Sequence, residues 1–98
     1  MPVFPLILHK TYREQGFFNV TVGFDGYIRR EEGPMEIVLM ADDQVETVRG
    51  HVNRTAQGNG TARVMGAVPL RNWFCTHCQI GEQLEVDILA PDSIRISR

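Results

Sequence analysis

Lysine is almost absent from this chain of 98 residues: Lys10 is the only one, and the other nine fixed positive charges are arginines. That scarcity bears on catalysis. A metal-dependent nuclease of the common type sets an acidic pair beside a lysine, to hold the ion and activate water. Here Asp92 follows Pro91 but has no lysine in its neighbourhood. A phospholipase-like nuclease needs a histidine two residues before a lysine, whereas His9 and Lys10 are adjacent. No phosphate loop and no Ser-His-Asp order with an elbow glycine pattern is present. Long apolar runs are missing too. The longest, Val3–Leu8, is far too short to cross a bilayer, and the first residues lack the zones of a signal peptide. Two cysteines in such a chain read as reduced thiols rather than a disulfide framework. The expectation is a cytoplasmic protein with no membrane partner, no cofactor, no metal and no catalytic residue of its own.

What is present is a globular composition, 43% apolar and 22% charged, in a length that suits one domain spanning residues 1–98. The net charge of −2 argues against gripping a polyanion through bulk charge. Its distribution says more. Residues 31–48 hold Glu31, Glu32, Glu36, Asp42, Asp43 and Glu46 and no base. Between Glu46 and Glu82 there is no carboxylate at all, while Arg49, Arg54, Arg63, Arg71, His51 and His77 all lie in that gap. Such a distribution predicts an anion-facing surface on an otherwise acidic domain.

Period-two alternation dominates the chain. Phe18, Val20 and Val22 alternate with polar residues, as do Leu84, Val86 and Ile88, and Ile94 and Ile96 repeat the pattern. Val3–His9 and Glu36–Met40 are nearly continuous apolar runs, which predicts strands buried on both faces. Asp42-Asp43 reads as a tight hairpin before Val45–Arg49, and Gly58-Asn59-Gly60 as a turn before Thr61–Gly66. About seven strands at hairpin spacing predict an all-β open barrel. One segment breaks the period. Pro69, Leu70, Trp73, Phe74 and His77 recur at helical spacing up to Gly81, predicting a short helix that plugs one end of the barrel.

Cys75-Thr76-His77-Cys78 supplies half of a tetrahedral zinc site. A thiol-redox role would need it at a helix N-terminus, where the dipole lowers the thiol pKa, but it falls at a helix end. The expectation is two small buried residues. A small barrel with a Cys75/Cys78 zinc or thiol-redox site is the alternative reading. A third reading is a sugar- or peptide-binding barrel with Trp73 as an exposed stacking platform.

Two polar segments carry fork-shaped donors. One, residues 9–16, contains Lys10, Tyr12, Arg13 and Gln15. The other, residues 49–63, contains Asn53, Arg54, Asn59 and Arg63, with Arg49, Thr55 and Thr61 among them. Arginine bonds guanine bidentately, and Asn or Gln does the same for adenine. Hydroxyls and flanking arginines reach phosphates. Two such arms on one barrel could straddle a duplex.

Four blocks then resemble a known family: Gly16-Phe17-Phe18-Asn19-Val20; Asn53-Arg54-Thr55 with Asn59-Gly60-Thr61-Ala62-Arg63; Leu70-Arg71-Asn72-Trp73-Phe74; and Gly81-Glu82 leading into Leu84, Val86 and Ile88. Together they resemble the B-three-like DNA-binding pseudobarrels of restriction endonucleases of the EcoRII and BfiI kind. The resemblance covers nearly the whole chain, and the Asn-Arg-Thr and Asn-Gly-Thr-x-Arg blocks are its most specific parts. It implies a seven-stranded open pseudobarrel with one or two short helices. It also implies sequence-specific binding of double-stranded DNA in the bacterial cytoplasm, and a nuclease domain in the same parent chain. By that resemblance the two arms enter the major groove. Lys10, Tyr12, Arg13, Gln15, Asn53, Arg54, Asn59 and Arg63 are then candidate base readers. Arg49, Thr55, Thr61 and Arg71 are candidate backbone contacts, and Arg13 and Arg54 are the favoured guanine readers. The cysteine pair has no counterpart in the family pattern.

Overall fold

A computed structural model describes residues 2–55 and 60–98. The described residues form one seven-stranded sheet that curls around a single core, with two short α-helices and one 3-10 helix. The strands are β1 (Val3–Ile7), β2 (Phe17–Asn19), β3 (Gly33–Ala41), β4 (Gln44–Asn53), β5 (Arg63–Met65), β6 (Gln83–Ala90) and β7 (Ser93–Ser97). Helix α1 is Lys10–Gln15, α2 is Ala67–His77, and the 3-10 helix is Val22–Tyr27. The spatial order is β1-β6-β7-β3-β4-β5-β2, antiparallel except where β3 and β7 run parallel. This is the expected all-β open barrel.

Alternation explains the sheet. Phe4 and Leu6 of β1 lie opposite Val86 and Leu84 of β6, and Ile37 and Leu39 of β3 lie opposite Ile94 and Ile96 of β7. All eight are buried, and Phe18, Val52 and Val64 continue the same inner face through β2, β4 and β5. Helix α2 inserts Leu70, Trp73 and Phe74 against this face, so the apolar spacing read from the sequence does form a plug. Trp73 is only 3% exposed, which excludes it as a stacking platform for a sugar or peptide. Asp42 and Asp43 turn β3 into β4 with φ of 52° and 63°, the left-handed pair that a two-residue hairpin requires.

Three expectations are corrected. β1 and β3 are buried on one face, not two: Val3 and Ile7 are 37% and 43% exposed, and Met40 also faces solvent. Among the described residues no layer packs on the outer side of the sheet there, so apolar residues at those positions stay wet. β1 is moreover an edge strand. Leu8 N–H donates to Glu82 O and Ile88 N–H to Pro2 O, so even-numbered β1 residues face β6 and odd-numbered ones face the open edge. Pro5 removes the middle donor of that edge, a common guard against edge-to-edge pairing.

The strand predicted through Phe18, Val20 and Val22 stops at Asn19, and Val22 is 75% exposed. Gly23, Asp25 and Gly26 favour turning, and the chain winds into the 3-10 helix, whose Phe24 ring packs 5.3 Å from that of Phe4. Residues 9–16, expected to project as an arm, instead contain α1 and dock on α2. The Gly58-Asn59 turn lies outside the described residues. Among the described residues no helix is long and apolar enough to cross a membrane.

Candidate nucleic-acid interface

Helix α1 closes on Gly16, which takes the left-handed conformation (φ 73°, ψ 43°) and donates its N–H to Tyr12 O at 2.8 Å. Its first-turn partner pair is weak: Lys10 Nζ stands 3.9 Å from Glu14 at the surface. Arg13 does not reach outward. Its Nε donates to Cys78 O at 3.2 Å and its Nη2 to Cys75 O at 3.4 Å, so it caps the carbonyl end of α2. The base-reading role expected for Arg13 is corrected to that of a cap. Tyr12 is half-buried and sets its ring edge on Phe17 at 5.3 Å, with His9 in turn 5.1 Å from Tyr12. Gln15 is exposed.

The second arm leaves β4 at Asn53 and returns into β5 through Gly60, Thr61 and Ala62. Arg54 lies at its base with its side chain only 14% exposed. Nη1 donates to both Asp25 carboxylate oxygens and to Gly60 O at 2.9 Å. Nε donates to Arg29 O at 2.9 Å, and Nη2 to Ile28 O at 3.0 Å and to Asp25 O at 3.4 Å. Asp25 Oδ1 also accepts the Ala62 N–H at 2.7 Å, so one carboxylate ties both stems of the arm to the 3-10 helix. The expectation that Arg54 reads guanine is therefore corrected: its whole fork is occupied within the fold.

Glu32 closes the same region, accepting Arg54 N–H at 2.7 Å, with Thr55 Oγ1 3.5 Å away. Asn53 Oδ1 accepts Thr55 N–H at 2.9 Å, a side-chain-capped turn. Thr61 is buried, which takes it away from a phosphate-contacting surface. Asn59 lies outside the described residues. The stretch without carboxylates in sequence is thus partly neutralised in space, by Asp25 and Glu32. Sequence reasoning missed both. The flanking Gly23 and Gly26 mark Asp25 as a turn residue, but nothing local marks it as a partner of Arg54.

The remaining candidates converge on the outer face of β4, β5 and β2. Asn53, Arg63 and Asn19 pair across the three strands, and His51, Met65 and Phe17 form the next row. Arg49 follows on β4, opposite Glu36 of β3. None of the outward positions on these three strands is acidic, and Arg49 and His51 are exposed. Arg63 Nε donates to Asn19 Oδ1 at 2.9 Å, and its guanidinium carbon lies 4.3 Å from the Phe17 ring centroid. Arg71 is exposed on α2, with its backbone beside Gly16. The first arm enters this face at Phe17, and the second borders it at Asn19, Arg63 and Asn53.

The cysteines differ in exposure. Cys75 is exposed, with Sγ 3.5 Å from Arg13 O, and Cys78 is buried, so the expectation of two buried residues holds for Cys78 alone. His77 turns to Asp42, with Nδ1 3.5 Å from Oδ2. Among the described residues no three His, Cys, Asp or Glu side chains gather as a metal site would need. Burial, reinforced by the Glu82 charge, pushes the Cys78 thiol up from 9.0 to about 12. A raised native pKa means that the unfolded chain loses this proton first. Stability from Cys78 is thus complete below pH 9 and falls as pH climbs from 9 towards 12. We expect a thiol reagent at pH 8 to label Cys75 alone in the native protein. Denaturation midpoints should also fall above pH 9, less steeply in Cys78→Ala. Equal labelling of both thiols would show that Cys78 is not buried.

Comparison of the chain with protein-family models, curated proteins and solved structures finds no match.

Proposed function

We propose that this domain binds double-stranded DNA sequence-specifically, as the target- or effector-recognition domain of a restriction endonuclease whose parent chain carries the nuclease domain. The observation that carries the reading is the outer face of β4, β5 and β2. It displays Arg49, His51, Asn53, Arg63 and Asn19 with no acidic residue at an outward position, and it is bordered by both arms. The sequence resemblance described above points the same way. Arg49 and Arg71 hold phosphates at the margins, and residues nearer the centre read bases.

Selection from random duplex DNA, followed by titration at several salt concentrations, tests this. We expect an enriched sequence bound at least about 1000-fold more tightly than scrambled duplex. Arg49→Ala or Arg71→Ala should weaken all sequences alike and reduce the log–log salt slope by roughly one unit. No enrichment, with only weak salt-sensitive binding, would remove the reading. A changed base preference in either variant would show that these arginines touch bases instead.

A further inference from the structure

Of the four arginines between Glu46 and Glu82, Arg54 is occupied by the fold, and Arg49 and Arg71 stand exposed at the margins. Arg63 differs from all three. It is half-buried in the middle strand of the outer face, flanked by Asn19 on β2 and Asn53 on β4. Its guanidinium is fixed twice, by the Nε bond to Asn19 Oδ1 and by lying against the Phe17 ring. Among the described residues no hydrogen bond engages either Nη group. Phe17 is held in turn by the Tyr12 ring edge, and Tyr12 by His9, so a file of rings runs from the first arm to the arginine.

An arginine on an open surface loses side-chain freedom when it binds a fixed acceptor pair, and that ordering weakens recognition. Anchoring Nε and one face of the plane removes much of this cost beforehand. The two Nη groups that remain suit a planar pair of acceptors. In a duplex, the O6 and N7 atoms of guanine offer such a pair in the major groove. A backbone phosphate would also accept two bonds, but marginal and flexible arginines suffice for that. A pre-set fork between two carboxamides, on three strands with no acid at an outward position, is the arrangement that base reading favours.

We propose that Arg63 is the guanine-reading residue of this domain and that Asn19 and Phe17 are its positioning residues. This rests on the DNA-binding reading above. The experiment compares wild type, Arg63→Lys and Asn19→Ala on the selected duplex, on duplexes with each guanine replaced singly, and on scrambled duplex, at one salt concentration. Thermal melting of each variant confirms folding.

Lysine keeps the charge but not the fork. Arg63→Lys should therefore bind scrambled DNA within about twofold of wild type, yet lose roughly 5- to 150-fold on the selected site. It should become indifferent to replacement of one particular guanine. Asn19→Ala should lose part of the preference at that same base pair and nothing elsewhere. Equal losses on selected and scrambled duplexes would make Arg63 a phosphate contact and overturn the proposal. So would unchanged preference in both variants while wild type still selects a sequence, an outcome that leaves DNA binding standing. A wild-type protein that selects no duplex sequence defeats both readings together.

Discussion

Arg54→Ala is expected to lower folding stability by about 2–4 kcal/mol. Breaking one partner of a fully buried ion pair costs about 3–5 kcal/mol, and here Asp25 keeps 27% of its side chain in solvent, which softens the loss. For a domain of this length that is a fall in Tm of roughly 10–30 °C. The reason lies in what Arg54 joins. It holds the carbonyls of Asp25, Ile28, Arg29 and Gly60 and both Asp25 carboxylate oxygens, six acceptor oxygens from the 3-10 helix, the following strand entry and the far stem of the second arm. Alanine leaves those acceptors to find water in a region that is mostly shielded. Arg54→Lys should recover little, because one ammonium cannot reach a set of acceptors arranged for a fork. Asp25→Asn should cost less than Arg54→Ala, since an amide oxygen still accepts from Ala62 N–H and Arg54. The check is a set of thermal and denaturant melts. If Arg54→Ala melts within a few degrees of wild type but loses selectivity for its DNA site, Arg54 points outward in solution and reads a base after all.

That arginine shows where local sequence pattern stops being informative. Asn53-Arg54-Thr55 carries the composition of a base-reading loop, and fork-shaped donors look the same whether they face DNA or a neighbouring carbonyl. The deciding partner, Asp25, lies 29 positions earlier, in a 3-10 helix just beyond the residues whose alternation predicts a strand. Arg13 repeats the lesson, since its acceptors are the last carbonyls of α2, more than 60 residues away. Charge counting along the chain fails for the same reason. A gap without carboxylates from residue 47 to residue 81 is filled from outside by Asp25 and Glu32.

The strands were more legible, because one buried face imposes a period of two on each of them. Leu84, Val86 and Ile88 point inward as their alternation requires, and Leu70, Trp73 and Phe74 form the buried stripe of α2. Apolar runs misled where the extra apolar residues sit on an uncovered outer face, as Val3 and Ile7 do. Helix α1 is hidden because its six residues, with Tyr12 the one apolar side chain turned inward, offer no periodicity to read. Its one local signal is Gly16, a helix-closing glycine at the end of the segment read as the first arm. In the candidate interface, Arg49 and Asn53 lie on β4 and Arg63 on β5 rather than on a projecting arm, and Asn19 and Phe17 join them only through the β2–β5 register, which no local pattern reveals.

Gly16→Ala is expected to be the most damaging single-methyl change in the domain, and it separates two physical costs. The first is conformational. A φ of +73° places an alanine in the left-handed region, at about 1–2 kcal/mol. The second is steric. An added Cβ at Gly16 would overlap Ala67 O and lie 2.9 Å from Arg71 N, both of them backbone atoms of α2 that cannot rotate away. Ala67 itself has a φ of +53°, so the opening turn of α2 has little slack. Gly66 N–H also donates to Gly16 O at 2.9 Å, which pins the two segments at this crossing. Relieving the overlap means moving α1 off α2, against the Arg13 cap and the Tyr12–Phe17 contact, at about 1–3 kcal/mol or more. The sum is about 2–5 kcal/mol. Gly81→Ala provides the reference, because Gly81 has φ +87° with open space around its Cβ, and so incurs the conformational cost alone. Melts of the two variants, measured side by side, should therefore differ by the steric part, with Gly16→Ala at least about 1 kcal/mol the less stable. The first arm should follow: a folded Gly16→Ala protein would show reduced DNA selectivity and faster labelling of Cys75, whose Sγ faces the Arg13 carbonyl. If the two variants melt together, α1 and α2 do not approach this closely, and the first arm is free of the barrel plug.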